Sequence, residues 1–173
     1  MSSSDPTQRF SSRVENYIRY RPGYPHAIVE LLQNECHLTP DSVIADVGCG
    51  TGMFARLFLE NGNRLFGIEP NAEMRKAGDD FLAGYPKFQS IDGKAETTTL
   101  PDRSVDFVTA AQAAHWFHRQ DARREFVRIL KPGGWAVMVW NERRHQATPG
   151  RRAGRAGPHR VHQDAEVAPE PGF

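Results

Sequence analysis

The chain has 173 residues, 39% of them hydrophobic and 25% charged, with a formal net charge of +1. This is the composition of a globular protein long enough to bury one sizeable core. It supports neither a nucleic-acid partner nor a membrane-surface role, both of which favour a strong charge excess. No apolar run approaches the ~20 residues of a membrane span, and the polar start Met1–Pro6 lacks the basic flank and apolar core of a signal peptide. Cys36 and Cys49 show neither metal-ligand spacing nor a disulfide pattern. Two reduced thiols in a cytoplasmic protein, with no bound metal, is the expectation.

In chain order, residues 1–12 are polar and serine-rich and read as a flexible N-terminal arm. Arg13 to Arg21 has a helical pattern stopped by Pro22-Gly23. A second helix is predicted from Pro25 to about His37, with Ile28, Leu31, Leu32 and Cys36 on one buried face. Ser42–Val47 is a short apolar run with β-branched residues, the pattern of a strand buried on both sides. Gly52–Glu60 is predicted helical, Arg64–Glu69 a second strand, and Asn71 the N-cap of a helix to about Leu82 with Gly84 as its stop. Phe88–Ile91 and Val105–Ala110 read as third and fourth strands, separated by the loop "DGKAETTTLPDRS". Asp121–Leu130 is predicted helical, with Ala122, Phe126, Ile129 and Leu130 inward and Arg123, Arg124 and Arg128 in water. Pro132-Gly133-Gly134 is expected to turn the chain into a fifth strand, Trp135–Trp140. Alternating strands and helices predict an α/β fold with a doubly wound, mostly parallel sheet.

The segment "ADVGCGTG" places Gly48, Gly50 and Gly52 at alternate positions between the first strand and the next helix. Glycines there let backbone amides approach a ligand at the carboxyl end of the sheet. The plainer alternative is a tight turn with close helix–strand packing. A dinucleotide fingerprint would hold its third glycine one position later, where Met53 stands. That argues against a nicotinamide or flavin site. Glu69, at the end of the second strand, suits acceptance of hydrogen bonds from two ribose hydroxyls and would repel a 2′-phosphate. Its alternative is a solvated loop carboxylate.

Taken together, "ADVGCGTG", "GIEPN", "AETTTLPDRSVDFVTAAQAAHWF" and "ILKPGGWAVMVWNE" resemble the successive motifs of class I S-adenosylmethionine-dependent methyltransferases of the methyltransferase-11 type, over roughly residues 10–142. "YIRYRPGYP" is similar to a segment ahead of the glycine loop in a trans-aconitate methyltransferase-like subgroup. The resemblance implies a Rossmann-like methyltransferase fold, S-adenosyl-L-methionine as cofactor and a small-molecule acceptor. It places Asp46, Gly48, Cys49, Gly50 and Gly52 around the methionine and ribose part of the cofactor. Glu69 would take the ribose hydroxyls, with Pro70 and Asn71 nearby, Ala95 and Glu96 beside the adenine, and Gln112 near the methionine end. Lys94 departs from the pattern, standing where many relatives carry an acceptor aspartate before the Ala-Glu pair.

Methyl transfer from a sulfonium is an in-line displacement in which alignment and exclusion of water do most of the work. His115 is the candidate catalytic residue, as base or as orienter of an anion, against the alternative of a helix-start histidine contacting backbone. His118 reads as solvated surface. Tyr17, Tyr20, Arg21 and Trp116 are candidate substrate or lid residues, with Arg21 suited to a carboxylate; an amphipathic helix with arginines in water is the alternative for the first three. After Glu142 the composition shifts to Arg, Gly, Ala, Pro and His. The expected organisation is therefore an arm at 1–12, a cofactor-binding methyltransferase domain at 13–142, and an atypical tail at 143–173, disordered or translated out of frame. Relatives are expected to continue through a helix and two further strands, so the sheet is predicted to lack its C-terminal strands and to leave the fifth strand with an unpaired edge. A non-catalytic cofactor-binding domain is the first alternative to an active methyltransferase, and a nicotinamide-dependent oxidoreductase the second.

Overall fold

A computed structural model describes residues 23–140. The N-terminal arm, the helix expected over Arg13–Arg21, the candidates Tyr17, Tyr20 and Arg21, and the tail at 143–173 lie outside the described residues. Helix α1 spans Ala27–Cys36, strand β1 Val43–Val47, helix α2 Ala55–Glu60, strand β2 Arg64–Ile68 and helix α3 Ala72–Phe81. Strand β3 spans Phe88–Ile91, strand β4 Val105–Ala111, helix α4 Arg119–Ile129 and strand β5 Leu130–Val139, with a short 3₁₀ turn at Ala114–Trp116 ahead of α4.

The five strands form one sheet in the order β3-β2-β1-β4-β5, and every neighbouring pair is parallel. β1 is central, pairing Ala45 with Phe66 of β2 and with Val108 of β4. Alternate β1 side chains feed opposite layers, as the period of a strand requires. Ile44 joins Val29, Leu32, Phe54, Phe58, Leu65 and Leu82 in a core beneath α1, α2 and the end of α3. Ala45 and Val47 join Ile68, Val108, Ala122, Phe126 and Ile129 in a second core beneath α4. The sheet is thus covered on both faces, which is why its strands read as continuous apolar runs. No helix of the described residues is long and apolar enough to cross a membrane.

Several boundaries differ from expectation for local reasons. Leu31 is exposed on α1, whose buried residues are Val29 and Leu32 with Ile28 and Cys36 partly covered. α2 begins at Ala55, and Gly52, with φ +81° outside the helical region, is not part of it. α3 is capped by Leu82, whose N–H bonds back to Gly78 O; Gly84 has no left-handed conformation and does not cap it. α4 starts two residues early, at Arg119, with His118 as an extended N-cap residue. β5 begins at Leu130, paired with Val105, and resumes with Trp135 opposite Phe107. The Lys131–Gly134 segment is therefore a bulge inside β5 rather than a turn before it, and Trp140 lies beyond the strand. Gly134 is required there, since a Cβ would sit 2.9 Å from Asp106 O.

Candidate functional site

A groove of about 340 Å³ opens at the carboxyl edge of the sheet, where the chain leaves β1, β2, β3 and β4. It lies at the point where sequential strands depart to opposite sides of β1, the position at which open α/β sheets bind ligands. The glycine loop and Glu69 form one wall, the 93–96 segment the far end, and residues 111–117 the other wall.

The loop after β1 is pinned to the end of β2. Gly48 N–H and Cys49 N–H both donate to Ile68 O, at 2.8 and 3.1 Å. Gly50 N–H donates to Glu69 Oε2 at 3.0 Å, and Asn71 N–H donates to Glu69 Oε1 at 3.0 Å. The carboxylate of Glu69 thus joins the glycine loop to the start of α3. Asn71 itself faces away from the groove: its Oδ1 accepts Glu73 N–H and Met74 N–H, both at 3.0 Å, as a helix cap.

The three glycines answer to three different neighbours. A Cβ on Gly48 would lie 2.5 Å from Ala113 Cβ, across the groove's base. One on Gly50 would meet only Met74 Cε, at 3.4 Å, and Gly50 lines the groove. One on Gly52 would lie 2.5 Å from Leu82 Cδ1, so the third glycine serves packing against the end of α3 and does not line the groove. Gly78 of α3 completes this packing, because a Cβ there would be 3.2 Å from Gly50 O.

Beneath the loop, Asp46 is buried and its Oδ1 accepts Thr109 Oγ1–H at 2.8 Å across the β1–β4 pair. Burial pushes its pKa up to about 7, opposed by the Thr109 hydroxyl and the Cys49 thiol and reinforced by Glu69. Burial and then Asp46 also push the Cys49 thiol well above its usual range, which disfavours the nucleophilic thiolate. Three buried polar atoms of the described residues lack a hydrogen bond: Asp46 Oδ2, Thr51 Oγ1 and Gln112 Nε2. Gln112 lines the groove with φ +57°, held there by its N–H to Val139 O at 2.9 Å. A non-glycine residue in that conformation, with its amide buried and unpaired, is the kind of strain that marks ligand sites.

At the far end, Lys94 and Thr97 exchange two backbone hydrogen bonds of 3.0 Å, forming a tight turn whose exposed Lys94 lines the groove. Ala95 is a buried part of the lining. Glu96 Oε1 accepts His118 N–H at 2.7 Å and so ties this turn to the start of α4. Trp116 lines the mouth with 81% of its surface exposed. His115 stands beside it, ring centroids 4.9 Å apart, but is not part of the lining. The structure thus brings Gly48, Gly50, Glu69, Pro70, Ala95, Glu96, Gln112 and Trp116 to one groove, and sets Asp46, Cys49, Gly52, Asn71 and His115 outside it. Sequence reasoning missed Met74, Ala113 and Phe117, which also line it. The i, i+4 placement of Met74 and Gly78 on α3 was the available signal for a face turned to the loop. Among the described residues no cluster of three or more His, Cys, Asp or Glu could hold a metal ion.

These groups suit a nucleoside carrying a polar tail. A carboxylate faces a wall of apolar side chains, loop amides lie beside it, and an unpaired buried amide sits opposite.

A family model described as a methyltransferase domain matches residues 45–138. An uncharacterized methyltransferase-like protein of Schizosaccharomyces pombe is 32% identical over 144 residues, 83% of this chain and 55% of that protein. An uncharacterized methyltransferase of Mycobacterium tuberculosis is 35% identical over 142 residues, 82% of this chain and 56% of that protein. The chain spans about half the length of the curated relatives it matches. Among solved structures, the YcgJ protein of Bacillus subtilis is 27% identical with a TM-score of 0.60, over 66% of this chain and 50% of that one. A SAM-dependent methyltransferase of Aquifex aeolicus shares the fold at 20% identity and a TM-score of 0.63, over 85% of this chain and 80% of that one. With the glycine loop, the parallel sheet and the family match in agreement, the chain belongs to the methyltransferase-11 type of class I S-adenosylmethionine-dependent methyltransferase domains.

Proposed function

We propose that this chain binds S-adenosyl-L-methionine in the groove and forms the cofactor-binding part of an enzyme that methylates a small molecule bearing a carboxylate. The observation that carries the reading is Glu69. Its two oxygens each accept one backbone N–H, from Gly50 and Asn71, leaving lone pairs for a vicinal diol beside the glycine loop. In this reading Gly48 and Gly50 approach the ribose and methionine part, and Asp46, Cys49 and Gly52 support the loop from behind. Pro70 and Ala95 flank the nucleoside, and Gln112 meets the amino-acid end. Glu96 holds the nucleobase end by fixing the turn against α4, with Asn71 holding α3.

When bound, the cofactor supplies an electrophilic methyl group on sulfur. The protein's part is to align the acceptor with that methyl and keep water away. Trp116, and Tyr17, Tyr20 and Arg21 of the preceding segment, cover the acceptor, Arg21 providing a bidentate partner for its carboxylate. His115 orients the acceptor or takes its proton. Residues 13–142 constitute the domain that performs these steps, at work in the cytoplasm.

A second reading, cofactor binding without methyl transfer, draws on the position of His115 outside the groove lining. Transfer of a labelled methyl group to a library of small carboxylic acids separates the two. Label in a product supports the enzyme; tight S-adenosylhomocysteine binding with no labelled product supports the second reading.

A further inference from the structure

Arg75 lies on α3, one turn beyond Asn71, and is not part of the groove lining. Its side chain is 19% exposed and makes four directed hydrogen bonds. Nη1 donates to Glu69 O at 2.8 Å, Pro70 O at 2.9 Å and Asp92 Oδ1 at 3.1 Å. Nη2 donates to Asp92 Oδ2 at 3.1 Å. Asp92 is the first residue after β3, and its carboxylate is 73% exposed. The guanidinium therefore clasps the segment leaving β2 to the segment leaving β3.

Glu69 is the residue most constrained by this arrangement. Its N–H donates to Ile91 O at 3.1 Å, its carbonyl accepts from Arg75, and each carboxylate oxygen accepts a backbone N–H. Only a planar fork reaches two consecutive carbonyls and both oxygens of a carboxylate at once; a lysine ammonium is a single point charge.

We propose that Arg75 is a positioning residue, anchored by Asp92, that aims the Glu69 carboxylate for two-point recognition of a vicinal ribose diol. This rests on the proposed reading of the groove as a nucleoside site. Of the groove residues whose backbone Arg75 holds, Glu69 and Pro70, only Glu69 turns a carboxylate toward the diol, so the loss of Arg75 is expected to be felt first at the diol. The Asp92 end of the ion pair is 73% exposed and adds little to folding.

The test is titration of the wild-type chain, Arg75→Lys and Asp92→Asn with S-adenosylhomocysteine and with its 2′-deoxy analogue. A hydrogen bond to a charged group supports an expectation that the wild type prefers the natural ligand by about 10-fold or more. In Arg75→Lys, affinity for S-adenosylhomocysteine falls by a comparable factor, about 10-fold, while affinity for the deoxy analogue barely changes, so the preference collapses toward one. Asp92→Asn, at an exposed position, shows a smaller collapse in the same direction and guards against misfolding of the first variant. Equal weakening of both ligands, or no change in the preference for either variant, overturns the positioning role while leaving the groove assignment intact. Failure of the wild type to bind S-adenosylhomocysteine overturns the groove assignment and the positioning role with it.

Discussion

Asp46 accepts the hydroxyl of Thr109 at 2.8 Å across the central strand pair, and its second oxygen is buried without a partner directly beneath the glycine loop. The carboxyl is pushed up to about 7, chiefly by burial. An acid whose folded pKa exceeds its unfolded value loses stability as pH rises. The contribution is intact below 3.8, declines above it, and is gone once pH passes about 7. From pH 5 to 8 this one group removes about 3 kcal/mol of unfolding free energy. Asp46→Asn keeps an acceptor for Thr109 and cannot ionise. Chemical denaturation at pH 5 and 8 is expected to show a flatter profile for the variant, with the variant the more stable at pH 8. Parallel profiles for the two proteins contradict the assignment.

Gly52→Ala and Gly50→Ala separate packing from binding. At Gly52 the new methyl meets Leu82, one of the most completely buried side chains, in a backbone with φ +81°. A loss of about 2–4 kcal/mol in stability is expected from overpacking and strain. At Gly50 the nearest atom is the flexible end of Met74, and the methyl projects beside the groove. There the stability loss is about 1 kcal/mol, from the left-handed backbone, and ligand affinity suffers more. Thermal unfolding and ligand titration on both variants check the contrast.

Glu69→Gln discriminates a functional carboxylate from a solvated one. An amide keeps one acceptor oxygen but turns an NH₂ toward either Gly50 N–H or Asn71 N–H, a donor against a donor. Affinity for S-adenosylhomocysteine is expected to fall about 10- to 100-fold. Unchanged affinity, measured by calorimetry, returns Glu69 to the role of a loop charge.

Glu125 holds α4 to the loop before β4. Its Oε1 accepts Thr98 N–H at 2.7 Å, Thr98 Oγ1–H at 2.6 Å and Arg128 Nη2 at 2.7 Å, and Oε2 accepts Arg128 Nε at 2.8 Å. Arg128 first, then Thr98, hold the carboxyl down at about 2. Its stabilising contribution is present above 4.5 and lost as pH falls through about 2. Glu125→Ala strands the buried Thr98 groups and is expected to cost about 1–3 kcal/mol at neutral pH, read as a shift in the denaturation midpoint.

How much of this was legible in the sequence depended on how local the cause was. Asn71 as a cap and Phe88–Ile91 as a strand follow from their own neighbours, and both stand as expected. The parallel order of the sheet followed from alternation of strands and helices. Leu31 was misplaced because helical spacing does not say which edge of an apolar stripe the sheet covers. The bulge at Lys131–Gly134 was read as a turn because Pro-Gly-Gly marks both; only pairing of Val105 with Leu130 distinguishes them. In the groove, residue types near the loop were readable, but their division of labour was not. That Gly52 answers to Leu82, Asn71 to α3 and Glu96 to His118 depends on contacts between distant segments.

The central claim is that the groove is a nucleoside site for S-adenosylmethionine and its product. Calorimetric titration of the chain with S-adenosylhomocysteine, and separately with NAD, tests it most directly. The account predicts saturable one-to-one binding of S-adenosylhomocysteine and no heat of binding from NAD. Binding of NAD with no response to S-adenosylhomocysteine would contradict it.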